Sequence, residues 1–270
     1  MSFLLLDGSL HGAAAGDALT ISGAEGRHGA AVVRLKPNEH VFITDQHRHQ
    51  VLAEVTAAAK QEFTVRLLER PRTAEQRTPQ LVLVQALAKG GRDENAVQTC
   101  TELGADAIIP WQADRSIVKW SGGKEAKGQA KWLATVHAAV KQSRRPTIPN
   151  VEPVVRTTAL VQRVKDWAAS GSVVLVLHEA EQKSLMQLAP SLAAAEQIVL
   201  IVGPEGGISD EEITRLRQAG ARTALLGPEV VRASTAGPAA IAVLSALTGR
   251  WGTCSADDAA PSADAVEPRP

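Results

Sequence analysis

Residues 198–213 read IVLIVGPEGGISDEEI. Ile198–Val202 is an unbroken apolar run, the pattern of a strand buried on both faces of a parallel sheet. It runs into Gly203-Pro204-Glu205-Gly206-Gly207, and Ser209 then opens a helix with Glu212 three residues on. That Ser-x-x-Glu spacing is a capping box: the serine and the glutamate each satisfy a backbone N–H at the helix start. Three glycines in five residues allow a close backbone approach to a ligand and a left-handed turn. The carboxyl end of such a strand is where open α/β sheets bind ligands. The spacing is neither G-x-G-x-x-G nor a P-loop, since no Lys-Ser/Thr follows, and a dinucleotide-binding oxidoreductase or a nucleotide triphosphatase loses its fingerprint.

Outward from this stretch, strand and helix alternate. Residues 81–87 (LVLVQAL), 107–110, 173–177 and 223–226 read as buried strands. Residues 93–103, 128–142, 157–169, 184–195, 210–219 and 234–247 read as helices, with Gly104 placed to cap the first. This is the grammar of a parallel α/β domain. Two more strand ends carry polar or small loops. One is Leu177-His178-Glu179-Ala180. The other is Leu225-Leu226-Gly227-Pro228, with Arg232 ahead of the helix. Three such ends in one half of a sheet form the layout of a composite ligand site.

The first seventy residues follow a different rule. Residues 41–45 and 51–56 flank Gln46–Gln50 as a hairpin, and residues 62–68 alternate as a further strand. Residues 24–35 read as a short helix. These short strands predict a small barrel-like β domain over 1–72, followed by a polar, proline-containing linker over 73–79 and the α/β domain over 80–251. Residues 252–270, rich in Ala, Asp, Ser and Pro, are expected to be a disordered acidic tail.

The chain has 29 basic and 29 acidic side chains, and this zero total argues against a uniformly basic nucleic-acid binder. The total averages unlike parts. Residues 252–270 carry a net −3 and residues 1–251 a net +3, and residues 85–145 alone hold ten bases against six acids. Two cysteines, Cys100 and Cys254, are too few for a disulfide scaffold, and neither has metal-type neighbours. The N-terminus does not read as a signal peptide, and no apolar run approaches the ~20 residues of a membrane span. A cytoplasmic protein with no bound metal is expected. His47 and His49 read as turn residues.

GPEGG followed by S-x-x-E, then LG-x-x-V-x-R-x-S-T-A, resembles the RsmE-type ribosomal RNA (uracil-N3) methyltransferases of the SPOUT superfamily. Ala88-Lys89-Gly90 with Cys100-Thr101-Glu102-Leu103-Gly104-Ala105 matches that family's K-G and T-E-L-G-V block. Arg115-Ser116, Gln142-Ser143-x-Arg145 and Val33-Arg34-Leu35 match further positions, so the resemblance spans roughly residues 20–250. The chain departs at Asp45-Gln46, where the family commonly has Asp-Gly, and at His28-Gly29-Ala30-Ala31.

The resemblance implies an N-terminal PUA-like β barrel for RNA and a C-terminal α/β domain with a deep trefoil knot. It implies a homodimer, S-adenosylmethionine as methyl donor, and a uridine N3 of 16S ribosomal RNA, free or in the assembled small subunit, as acceptor. Leu177, His178 and Glu179 then form one wall of the cofactor site, and Val202, Gly203, Pro204, Glu205, Gly206 and Gly207 the next. Leu225, Leu226, Gly227, Val230 and Val231 form the last, with Ser234, Thr235 and Ala236 on the following helix. Arg232 is the candidate for stabilising developing negative charge. Glu205 is the second catalytic candidate, and it shares with His178 the open question of which group accepts the N3 proton. Arg34, Lys89, Arg92, Arg115, Gln142, Arg144 and Arg145 are candidate RNA contacts. Trp111 and Trp120, on either side of Arg115, read as core residues before stacking platforms. Another RNA target, transfer RNA or a ribose 2′-hydroxyl, and a non-catalytic RNA-binding assembly factor are the alternative readings.

Overall fold

The computed structural model describes residues 1–192 and 194–252, so all of the expected acidic tail beyond Gly252 lies outside the described residues. The chain falls into two compact units. One comprises residues 1–75 with 140–148, the other residues 76–139 with 149–252. Residues 140–148, read from the sequence as part of the α/β half, thus belong with the N-terminal sheet.

The first unit contains β1 (Ser2–Leu5), β2 (Ala18–Ile21), α1 (Gly23–Arg27), β3 (His40–Thr44), β4 (His49–Ala58), β5 (Phe63–Leu67) and β6 (Arg72–Thr73). Its strands run in the order β1-β3-β4-β5-β2, with β6 on β4. Leu4 from one edge and Ile21 from the other share one buried cluster with Val51, Val55 and Phe63, so the sheet curls around a single core. Alternate residues of β4 supply it, as the period-2 pattern requires.

Asp45, followed by Gln46, holds the β3–β4 turn together. Its carboxylate accepts from the His47 and His49 amides, the Leu10 amide and His49 Nδ1, each at 2.8 Å. Burial pushes the Asp45 carboxyl up, but these hydrogen bonds outweigh it and hold it below the ordinary carboxylate range. Asp45 thus makes an Asx-type turn, in which Arg48 takes the left-handed conformation at φ 67°.

The helix expected over residues 24–35 is α-helical only to Arg27. Residues 28–33 widen into a π-helix, and Arg34 closes it in the left-handed region at φ 60°. The backbone of this segment is closely packed. A Cβ on Gly29 would lie 2.5 Å from the Phe63 ring, and one on Gly26 would lie 2.6 Å from the Gln61 and Ile21 carbonyls. Apolar periodicity does not register a backbone pressed onto its neighbour.

The second unit continues with β7 (Gln80–Ala86), α2 (Arg92–Leu103), β8 (Ala107–Gln112), α3 (Gly123–Ser143, whose last turn lies in the first unit), β9 (Asn150–Val151), β10 (Val155–Arg156) and α4 (Thr157–Ala169). After these come β11 (Val173–Leu177), α5 (Leu185–Leu192), β12 (Gln197–Val202), α6 (Asp210–Gln218), β13 (Arg222–Ala224) and α7 (Ala233–Leu247). The sheet order is β10-β8-β7-β12-β11-β13, with β9 on β8, and every pairing is parallel. The alternating pattern is therefore realised as an α/β sheet. Val174, Val176, Val199 and Ile201 face Leu160 and Val164 of α4 and Leu216 of α6. On α7, Gly237 comes close to Leu83 of β7 and to Cys100 of α2. Burial pushes the Cys100 thiol far up, which suits a packing residue.

Helix α3 begins at Gly123 and not at Gly128. Gly128 lies within it, and since a Cβ there would be 2.4 Å from the Trp120 indole, this helical position takes a glycine. Trp120 packs edge-on against Trp132, and Trp111 is wholly buried with its Nε1–H donated to Thr157 Oγ1, so both flanking tryptophans are core residues. No described helix is long and apolar enough to cross a membrane.

The capping box read from the sequence forms as expected: Ser209 Oγ accepts from the Glu212 amide, and Glu212 Oε2 accepts from the Ser209 amide. Glu212 is itself fully buried, and its Oε1 accepts from the Asp114 amide at 2.9 Å and from Thr157 Oγ1 at 2.6 Å. One carboxylate thus ties the start of α6 to the exit of β8 and to the start of α4. Glu212→Ala strands these donors and is expected to cost about 3 kcal/mol or more of unfolding free energy in urea. A loss below about 1 kcal/mol, the size of an ordinary substitution, contradicts this role.

Candidate functional site

The carboxyl ends of β11, β12 and β13 open onto one cleft of ≈ 620 Å³, within the range that takes a ligand of cofactor size. Its walls are the loops that follow those strands. The structure brings together Leu177, His178 and Glu179, the whole of Val202 to Gly207, and Leu225, Leu226, Gly227, Val230 and Val231. Arg92, Arg115 and Arg232 join them from outside or between the loops.

The GPEGG turn is held by three local constraints. Gly207 sits at φ 72°, a conformation that side chains rarely adopt. A Cβ on Gly203 would lie 2.6 Å from Ile208 Cγ1, and one on Gly206 would meet Arg115 Cβ at 3.2 Å. Arg115 also donates from Nη1 to the Gly206 carbonyl at 3.3 Å. The turn after β8 therefore packs onto the glycine loop, which Glu212 anchors from below.

Glu205 is not a free carboxylate. Gly90 and Gly91, at φ 66° and 74°, turn the chain so that the Lys89 amide (3.2 Å) and Arg92 Nη1 (2.8 Å) both reach Glu205 Oε1. Burial raises the Glu205 carboxyl, but its own backbone amide, Arg92 and the Lys89 amide prevail and hold it below the ordinary range. A carboxylate depressed in this way is a weak proton acceptor. His178 is constrained as well. Its amide donates to the Ala224 carbonyl at 3.0 Å, and its Nδ1 accepts from the Ala180 amide at 3.3 Å. In the neutral ring the proton then sits on Nε2, and the imidazole is a donor. The Glu205 carboxylate and His178 Nδ1 are thus both already engaged by donors.

Arg232 is exposed and stands at the N-cap of α7, where no side chain caps the helix. Its guanidinium has no acceptor among the described residues. An uncapped helix start beside an unpaired guanidinium favours an anion.

Two expected cofactor residues are not brought to the cleft. Helix α7 starts at Ala233, and its inward positions are Ala233 and Ala236, three apart; Ser234 is half-buried and Thr235 exposed, off the lining. The sequence reading missed Ile208, Asp210, Pro228, Glu229 and Ala233. Helical phase from Ala236 identifies Ala233, while Ile208 required knowing which side chain lies under Gly203. Of the expected RNA contacts, Arg92 and Arg115 line the cleft and Lys89 meets it through its backbone. Arg34, Gln142, Arg144 and Arg145 lie in the first unit. Among the described residues no group of three or more His, Cys, Asp or Glu could hold a metal.

Arg92→Ala removes the charge opposing burial at Glu205, so the Glu205 carboxyl is expected to titrate at higher pH by side-chain carbon NMR. The sign is that of a depressed carboxylate: its stabilising contribution is present above the unfolded value and is lost as pH falls through the folded one. An unmoved midpoint would show that Arg92 does not set the state of Glu205.

Residues 75–245 match the RNA methyltransferase domain family. The ribosomal RNA small subunit methyltransferase E of Mycobacterium bovis is 40% identical over 242 residues, covering 90% of this chain and 91% of the relative. The Neisseria gonorrhoeae ribosomal RNA small subunit methyltransferase E, solved bound to S-adenosyl methionine, superposes with a TM-score of 0.80 at 27% identity, over 92% of this chain and 98% of the other. A Legionella pneumophila methyltransferase, solved with bound SAM, gives 0.80 at 29% identity over 90% of this chain and 96% of its own. The chain therefore belongs to the RNA methyltransferase family that includes the ribosomal RNA small subunit methyltransferase E proteins.

Proposed function

We propose that this protein uses S-adenosylmethionine to methylate N3 of a uridine in 16S ribosomal RNA. The observation that carries the reading is one cleft formed by three consecutive strand-end loops, with Arg232 at its rim and without an acceptor among the described residues. Its lining fits the donor. Apolar side chains of Leu177, Leu225 and Val230 offer flat surface, while glycine-rich backbone at 203–207 and 227 offers amides and carbonyls without side-chain bulk. When bound, S-adenosylmethionine supplies an electrophilic methyl on a sulfonium. Transfer to N3 would require loss of the N3 proton, which solvent water would take up.

The chain's own residues then have separable tasks. Arg232 and the uncapped start of α7 stabilise the negative charge that develops when N3 loses its proton. Glu205 serves as a clamp on Arg92 and the Lys89 amide, fixing the glycine loop and not taking the proton. His178 donates from Nε2 into the cleft. Residues 1–72 form a PUA-like RNA-binding unit. In the first unit, which also includes residues 140–148, Arg34 and Arg144 sit exposed on left-handed turns (φ 60° and 54°), a costly conformation that presents a cation at a turn tip. With Gln142 and Arg145 they contact RNA phosphates. The protein acts in the cytoplasm as a homodimer whose methyltransferase unit carries the trefoil knot that the resemblance implies.

Incubation with methyl-labelled S-adenosylmethionine and either naked 16S RNA or small subunits, followed by nucleoside mass spectrometry, should yield N3-methyluridine. Label on another atom or no label overturns the assignment. Arg232→Ala is expected to retain cofactor affinity while methyl transfer falls by about 100-fold or more, the scale of losing a charge-stabilising donor. Normal turnover in that variant removes Arg232 from the reaction. In RNA binding, Arg34→Ala and Arg144→Ala should each lower the slope of log affinity against log salt by roughly 0.7–0.9, one phosphate contact apiece. An unchanged slope removes them from the RNA face.

A further inference from the structure

Glu181 does not line the cleft, yet its carboxylate ties the loop after β11 to β13 and to α6. It belongs to the loop after β11, four residues beyond Leu177. One oxygen, Oε1, accepts from the Gln182 amide at 2.8 Å and so shapes that loop from within. The other, Oε2, accepts from the Thr223 hydroxyl and from Arg217 Nη2, the latter at 2.9 Å. Thr223 lies on β13, directly ahead of the third wall. Arg217 lies on α6, the helix that the glycine loop opens. Thr223 Oγ1 in turn accepts from Arg217 Nη2 at 2.6 Å and Nε at 3.2 Å, so the three side chains close a ring.

The backbone repeats the same stitching. The His178 amide donates to the Ala224 carbonyl, the Leu225 amide to the Lys183 carbonyl at 2.8 Å, and the Leu185 amide to the Leu225 carbonyl at 3.0 Å. The first and third walls are thus zipped over residues 178–185 and 224–225, and the Glu181 ring sits at the mouth of the zip. The hydrogen bond from Thr223, that from the Gln182 amide and the nearby Arg217 charge hold the Glu181 carboxyl down to about 2, so it stays ionised across the working pH range.

We propose that Glu181, acting through Thr223 and Arg217, is a positioning residue for the methyl donor: it locks the loop after β11 against β13 and so presets the width of the cleft between His178 and Leu225. This rests on the reading of the cleft as the S-adenosylmethionine site. Removing the lock leaves the reacting groups in place but makes donor binding bear the ordering of the loop. The loss then falls on ground-state and transition-state binding alike, which raises KM and spares kcat.

Calorimetry and steady-state kinetics on the full chain test this. The wild-type protein must first bind S-adenosylmethionine; if it does not, the reading of the cleft fails, separately from the role of Glu181. Given wild-type binding, Glu181→Ala is expected to raise both Kd and KM for S-adenosylmethionine by about tenfold or more, the scale of one charge-assisted hydrogen bond. KM for RNA and kcat at saturating donor should each stay within about threefold. Glu181→Gln keeps an acceptor for Thr223 without the charge opposite Arg217, and should fall between. Thr223→Val removes the shared hydroxyl and should reproduce the rise, and it carries the test alone if Glu181→Ala does not fold. Unchanged donor affinity in these variants overturns the proposal. So does a lower kcat at unchanged KM, which signals lost folded protein and not a loosened cleft.

Discussion

A buried carboxylate is costly unless donors surround it, and Glu212 has four of them: two from Ser209, one from the Asp114 backbone and one from Thr157. Those donors come from three places in the chain, the start of α6, the exit of β8 and the start of α4. Solvating Glu212 therefore requires all three to meet at one point. That meeting point lies beneath the glycine loop, so the loop after β8 is brought onto Gly206 and Arg115 onto the rim of the cleft. Without this constraint the strand ends would still be parallel, but the glycine turn would have no floor.

From that anchor the cleft is assembled by small steric facts. Gly203 leaves room for Ile208, Gly206 for Arg115, and Gly90 and Gly91 swing Arg92 onto Glu205. The consequence is electrostatic. Arg92 is paired with Glu205, Arg115 is tied to a backbone carbonyl, and Arg232 has no acceptor among the described residues. Of three arginines at one site, the one left for a substrate anion is Arg232, which adjoins the start of a helix. The same pairing argues that Glu205 works as a clamp and not as a base.

Much of this was legible in the sequence because it depends on local rules. The apolar run at 198–202, the S-x-x-E cap and the left-handed Gly104 are each decided within a few residues, and each is found where expected. Family resemblance extended the reading to the cofactor and to most of the cleft. What was not legible depended on contacts far apart in the chain. Gly29 is required by the Phe63 ring, and Gly128 by the Trp120 indole. Ser234 and Thr235 missed the cleft by helical phase, set by where α7 begins. The neutral total charge concealed a body of net +3 whose excess, in residues 85–145, includes Arg92 and Arg115 at the cleft and Arg144 and Arg145 in the first unit.

The central claim is that one cleft, built from three strand-end loops, receives the methyl donor. Hydrogen–deuterium exchange with and without saturating S-adenosylmethionine tests it most directly, since ordering of these loops slows exchange of their amides. The expected result is protection concentrated in residues 177–185, 202–208 and 225–236, with the sheet of residues 1–67 unchanged. Protection elsewhere, or none in these three segments, would contradict the account.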